Sequence, residues 1–151
     1  MQRNPLVRSM KPRELSTAEC TALLSAGRYG RLALSSNDVP YIVPMSYVFS
    51  DGRIYLHSRG KGKKVELVIR NPRVCFEVDH LDKDRWSSVI ASGSASLSSD
   101  VVAKQRMFDA FTGKEMKGHG GKQFSREALE KMDMTIWVIQ VEELTGREGM
   151  W

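Results

Sequence analysis

The spacing of apolar positions changes along the chain and divides it into elements. Ala18, Ala22, Leu23 and Ala26 recur at the 3.6-residue period of a helix. The Ser16/Glu19 spacing of a capping box opens that helix, and Gly27 stands where a left-handed residue would end it. From Tyr29 the period is two. Residues 29–34 and 40–50 flank the polar turn Ser35-Ser36-Asn37-Asp38. In the second run Tyr41, Val43, Met45, Tyr47 and Phe49 share one face, and Ile42, Pro44, Ser46 and Val48 the other. Pro44 has no N–H for a ladder, so this strand must lie at a sheet edge or bulge, leaving backbone groups free. Asp51-Gly52 predicts a tight hairpin back into residues 53–58.

Beyond a glycine- and lysine-rich loop, residues 65–70 form a short helical segment closed by Asn71-Pro72. Val74, Phe76 and Val78 then alternate with Cys75, Glu77 and Asp79 in a further strand. Residues 80–85 are charged and read as a loop. Residues 86–97 predict a strand weakened by Gly93 and several serines, the composition of a bulge or of close approach by another backbone. A helix over 99–111 turns Val102, Met107, Phe108 and Phe111 inward. The stretch 112–124, rich in glycine and lysine, reads as the least ordered internal segment. A short helix over 125–132 precedes a last strand, 134–141, bearing Trp137. Six strands with two or three modest helices predict a mainly β (α+β) fold, an antiparallel sheet closing into a small barrel. Residues 1–15 mix Arg, Lys and Pro and predict an extended arm that orders only against something else, ahead of a single domain over 16–151.

Composition narrows the class without naming a ligand. The chain has 151 residues, 41% hydrophobic and 27% charged, the proportions of one globular domain. No apolar run is long enough to span a bilayer and the N-terminus lacks a secretory pattern, so a cytoplasmic location with no membrane association is expected. Cys20 and Cys75 have no metal-ligand or disulfide spacing and read as small apolar side chains. With 23 Lys+Arg against 18 Asp+Glu the net charge is +5, a field that attracts nucleic acid, acidic lipid and phosphorylated small molecules alike.

Candidate chemistry concentrates in two stretches. In the first, a strand ending Tyr55-Leu56-His57-Ser58 runs into Arg59-Gly60-Lys61-Gly62-Lys63-Lys64 and then a helix N-terminus. Free N–H groups, the Ser58 hydroxyl and the ammonium groups of Lys61, Lys63 and Lys64 are the converging donors a phosphate dianion needs. A Gly/Lys loop is also simply a well-hydrated turn, and neither the Walker nor the dinucleotide glycine spacing is present. His57 reads equally as a ligand partner and as a half-buried strand histidine; His80 and His119 stand alone in polar loops. The second stretch is the proline-bearing strand, where free main-chain groups suit the edge of a flat heteroaromatic ring over a bed of Val43, Met45 and Tyr47. No catalytic side-chain constellation is readable, so reactivity would come from a bound cofactor.

Taken together, Gly30-Arg31-Leu32-Ala33, Pro40-Tyr41-Ile42-Val43-Pro44-Met45, Gly52 to Ser58, Gly62-Lys63-Lys64 and Asn71-Pro72-Arg73-Val74-Cys75-Phe76-Glu77-Val78-Asp79 resemble the pyridoxamine 5′-phosphate oxidase-like FMN-binding split-barrel family, nearest its nitroimidazole-resistance (Nim-type) branch. The resemblance continues more loosely through Trp86 to Gly93 and the last strand. It implies a six-stranded antiparallel split β-barrel, a homodimer, and FMN in the dimer interface. By carry-over Val43, Pro44, Met45, Ser46 and Tyr47 would line the isoalloxazine, and His57 and Ser58 would lie by the ribityl phosphate. Lys63 and Lys64 would hold the phosphate, close to Lys61 of the basic loop, while Trp86, Ser87, Ser88 and Trp137 would reach the flavin from the other subunit. The substrate-phosphate arginine/histidine set of true pyridoxamine-phosphate oxidases is missing near Gly146 to Trp151. The resemblance therefore implies a flavin reductase or nitroreductase-like oxidoreductase acting on a small redox substrate. The alternatives are a flavin or haem carrier or sensor without turnover and, more remotely, a basic barrel binding single-stranded nucleic acid.

Overall fold

A computed structural model describes residues 11–114 and 124–150, and among them forms eight strands and four helices. The strands are Arg13–Glu14 (β1), Tyr29–Ser36 (β2), Val39–Ser46 (β3), Val48–Ser50 (β4), Arg53–Ser58 (β5), Arg73–Asp82 (β6), Arg85–Ser98 (β7) and Thr135–Met150 (β8). The helices are Thr17–Ala26 (α1), Lys63–Arg70 (α2), Val101–Lys114 (α3) and Arg126–Lys131 (α4). All strand pairings are antiparallel, in the order β3-β2-β6-β7-β8-β5-β4, with β1 added on β8. The two ends of that order, β3 and β4, are consecutive in sequence and separated only by Tyr47. The sheet thus curls until its edges meet through one residue of chain rather than through a hydrogen-bonded ladder, which is a split barrel.

The strand count corrects the expectation of six. Residues 40–50 do not run as one strand, because Tyr47 sends its N–H to Arg28 and its ring into the core, dividing the run into β3 and β4. The arm supplies the other addition: Arg13–Glu14 pairs with Glu148 and Arg147 of β8, and the Arg13 guanidinium bonds both Glu19 and Glu148. Residues 1–10 of the expected arm lie outside the described residues. Pro44 behaves as its chemistry requires, since β3 is an edge strand with a neighbour on one side only.

Helix α1 has its capping box, yet Gly27 is extended (φ −74°) rather than left-handed. Glycine is needed there for space, because a Cβ would overlap the Tyr47 hydroxyl and meet Val78 at 3.0 Å. The inward face of α1 is Cys20 and Leu24, four residues apart, while Ala18, Ala22 and Ala26 face solvent. Residues 80–85 form a hairpin rather than a loop: β6 continues to Asp82 and β7 starts at Arg85, with Lys83 at φ 53° in the turn. The last strand runs to Met150, twice the expected length. At Gly93 a Cβ would collide with the Gln140 carbonyl, and the β7/β8 register shifts between Ser92 and Gly93, so the extra residue of the bulge is Glu142 on β8.

One core cluster fills the barrel, with Leu32, Ile54, Leu56, Phe76, Trp137 and Ile139 at its centre and α1 and α2 closing it. A second, around Val48, Tyr55, Met107 and Ile136, lies beneath α3 on the outer side of β4, β5 and β8. Val102 is 59% exposed, contrary to its expected inward position, because it lies well round the helix from Met107. Lys104 is buried instead, its Nζ donating to the carbonyls of Leu129 and Met132 at 2.9 Å each, a cation satisfied at the end of α4. Of the expected loop over 112–124, Thr112 to Lys114 complete α3, and residues 115–123 lie outside the described residues.

Candidate functional site

Three of the helices begin on a side-chain acceptor: Ser16 for α1, Asp100 for α3, and Ser125 for α4. Helix α2 begins on Gly62, at φ 124°, with no side-chain cap. The N–H groups of its first turn are left to a partner from outside, and the helix dipole makes that end positive. Lysines here work against the dipole, each at a cost of about 0.3 to 1 kcal/mol, yet Lys63 and Lys64 occupy the first turn and Lys61 the loop before it. Lys61 and Lys63 are exposed, whereas Lys64 is half-buried, on the side of the helix that Val68 turns to the core. An arrangement unfavourable alone becomes favourable with an anion between these groups.

Ser58 closes β5 on the core face, in register with Thr135 of β8. Its hydroxyl accepts from Trp137 Nε1 at 2.8 Å and donates to the Arg59 carbonyl at 2.7 Å. Trp137 has no exposed surface, so its side chain cannot reach a second subunit, correcting that expectation. Its place is behind Ser58, fixing the hydroxyl at the mouth of the barrel. His57 points the other way: the pleat puts it on the face shared with Ile136 and Tyr55, towards α3. His57 and Ser58 therefore turn to opposite faces of β5.

Partial enclosure lowers the His57 pKa below the ordinary histidine value. A base whose folded pKa lies below its unfolded pKa binds fewer protons folded than unfolded between those values, so stability falls as pH drops through that interval. Thermal melts of the wild type should thus decline from pH 7.5 to 5.5, and His57→Gln should flatten the decline. An unchanged pH slope in the variant would assign the effect elsewhere.

Along β3 the pleat divides the expected ring-lining residues. Val43 and Met45 are half-buried against the core, and Pro44 and Ser46 are exposed on the outer face. Tyr47 is 1% exposed, donates its hydroxyl to the Leu24 carbonyl at 2.5 Å and packs on Phe76. Its side chain belongs to the core and is withdrawn from the candidate ring bed.

Trp86, Ser87 and Ser88 lie at the opposite end of β7. Ser98, at the near end, is in register with Ile136 and so beside His57, and the twelve residues back to Trp86 span about 40 Å of strand. Alternation places Trp86 and Ser88 on the outer face and Ser87 on the other, and Trp86 and Ser87 together border a cleft of about 310 Å³ with Arg13, His80 and Glu148 at the strand's end. One chain cannot bring this group to the lysines. Motif reading also passes over Arg70, whose signal is its seven-residue spacing from Lys63 along one side of α2, and the Arg31–Glu77–Asp79 cluster, visible only once β2 and β6 are in register.

Comparison with known proteins agrees with this architecture. The chain is 32% identical to a Mesorhizobium loti crystal structure named a FAD-binding protein, covering 93% of this chain and 99% of that one at a TM-score of 0.73. A Bacteroides thetaiotaomicron protein assigned to 5-nitroimidazole antibiotic resistance shares the fold at 22% identity and a TM-score of 0.77, covering 92% of this chain and 88% of that one. An uncharacterized protein of Rhizobium meliloti is 29% identical over 142 residues, covering 89% of this chain and 93% of its own length. The family model described as pyridoxamine 5′-phosphate oxidase matches residues 16–148, and the chain belongs to that family.

Proposed function

We propose that this protein is a flavin-dependent oxidoreductase that binds the FMN moiety of its cofactor between two copies of the chain. The observation that carries the reading is the uncapped N-terminus of α2, where first-turn N–H groups and Lys61, Lys63 and Lys64 form the only helix start among the described residues built for an outside anion. The FMN phosphate fits that chemistry, with Ser58 beside it and Trp137 holding Ser58. Alternate residues of the edge strand β3 turn backbone groups away from β2, which suits the polar rim of an isoalloxazine. Membership of the pyridoxamine 5′-phosphate oxidase family and the FAD-binding name of the Mesorhizobium loti relative support a flavin.

A second copy is required for Trp86 and Ser88 to take part, since they are a strand's length from the lysines. Among the described residues the outer face of β3, β2, β6 and β7 carries no helix and exposes Tyr29, Ile42, Leu81 and Ile90 beside Pro44, Trp86 and Ser88. At its centre the Arg31 guanidinium bonds Glu77 at 3.0 Å and Asp79 at 2.9 Å, and Ser88 donates to Glu77. Each of these groups has a hydrogen-bonded partner, and one guanidinium against two carboxylates leaves a net charge of −1 on the face. Flavin supplies reversible hydride and electron transfer; the chain holds its phosphate, orients its ring along β3 and excludes water through the paired faces. The activity proposed is that of a flavin reductase or a nitroreductase-like enzyme acting on a small acceptor.

The test is to add FMN to the full chain, record the visible spectrum and sedimentation, and assay reduction of nitroaromatic and quinone acceptors anaerobically. A yellow dimer with one flavin per chain and reductase turnover is expected. A colourless protein that takes up no flavin would overturn the reading, as would a monomer fully loaded with FMN for its dimeric part; a loaded dimer without turnover would leave a flavin carrier.

A further inference from the structure

We propose that the cleft at the end of the β6–β7 hairpin binds the carboxylate of an aromatic acceptor, so that the substrates of this chain are anionic aromatic compounds. The cleft has a volume of about 310 Å³, at the small end of ligand sites, which suits a single substituted ring. One wall is Trp86. Its indole lies against the backbone of Gly149, its register partner on β8, so closely that a Cβ there would stand 3.0 to 3.2 Å from three ring atoms. Glycine at 149 leaves the indole that seat, and the ring so placed offers the cleft an aromatic surface for stacking. Being a strand's length from Lys63, the cleft is separate from the phosphate site of the same chain.

Charge selects the substituent on the ring. The lining holds three cations, Lys11, Arg13 and Arg85, against two carboxylates, Asp82 and Glu148. Arg13 is already committed, bonding Glu148 and, outside the lining, Glu19 of α1. Lys11 and Arg85 form no ion pair among the described residues, and neither does Asp82, although it is in register with Arg85 across the turn. Two open cations against one open carboxylate favour a ligand carrying one negative charge. His80 and Ser87, also in register, add hydrogen-bonding groups beside them. The inference rests on the flavin reading above, which brings Trp86, and the cleft with it, to the flavin of a second copy. For a nitroaromatic acceptor the nitro group gains two electrons and two protons and loses one oxygen as water, giving the nitroso compound; the reduced flavin is the donor and is oxidised in the same step.

Calorimetric titration of the FMN-loaded full chain with 4-nitrobenzoate and with 4-nitrobenzamide, its uncharged counterpart, tests this. Loading first occupies the lysines of α2. Nitrobenzoate should bind about tenfold more tightly, the worth of one charge-assisted contact. Lys11→Gln combined with Arg85→Gln should erase that preference; both positions are exposed, so the fold is preserved. Anaerobic reoxidation of the photoreduced protein by the two compounds should follow the same pattern, the ratio of their second-order rate constants falling about tenfold in the double variant. Equal affinities in the wild type, or a preference that survives the double substitution, would overturn the anion subsite and leave the flavin reading intact. Preferred binding of nitrobenzoate without its reduction would overturn the acceptor role. A chain that takes up no FMN would remove the flavin reading, and this inference with it.

Discussion

Replacing Lys63 and Lys64 together by alanine is expected to weaken FMN binding by about 30-fold or more while riboflavin affinity barely changes. The reasoning is local. Without a side-chain cap on α2, the first-turn N–H groups and these two ammonium groups are the charge available to a phosphate, and a charge-assisted hydrogen bond is worth about 1.5 to 3 kcal/mol. Riboflavin lacks the phosphate and reports only on the ring bed along β3. The unliganded variant should even gain slightly in stability, because removing cations from the positive end of a helix relieves repulsion. Equal loss for both ligands would show that the lysines act through the fold rather than on the phosphate.

Trp137→Ala should be the most damaging single substitution for stability, at about 3 to 5 kcal/mol in urea denaturation. The side chain is fully buried at the centre of the barrel, in register with Leu56, and its removal leaves a cavity the rigid sheet cannot close. Trp137→Phe separates packing from positioning. It keeps most of the ring volume but deprives Ser58 of its donor, so a smaller stability loss should accompany a measurable fall in FMN affinity. A phenylalanine variant with wild-type FMN affinity would show that the Trp137–Ser58 bond serves the core alone.

Elements whose signal is local were legible along the chain. The Ser16/Glu19 box, the tight turn at Asp51-Gly52, where both residues have positive φ, and the edge position forced by Pro44 each follow from one residue's geometry or hydrogen-bonding capacity. The family-like blocks between Gly30 and Asp79 likewise pointed to the basic strand–loop–helix turn. What failed were judgements of facing and reach. Tyr47 alternates with Val43 and Met45 in sequence, but a hydrogen bond to Leu24 takes it out of the strand and into the core. The family resemblance implied that Trp137 reaches the flavin from the other subunit, and the barrel encloses it completely.

The sequence by itself determined the period of each strand, the caps and turns and the basic helix start, because these depend on neighbours within a few positions. Only the tertiary structure decided which faces meet. Strand order joined β3 to β4 through one residue, placed His57 and Ser58 on opposite sides of β5, and set Trp86 a full strand away from Lys63. The reason is that a strand's pleat specifies two faces but not which of them finds the core. That choice is made by burial of the whole sheet at once.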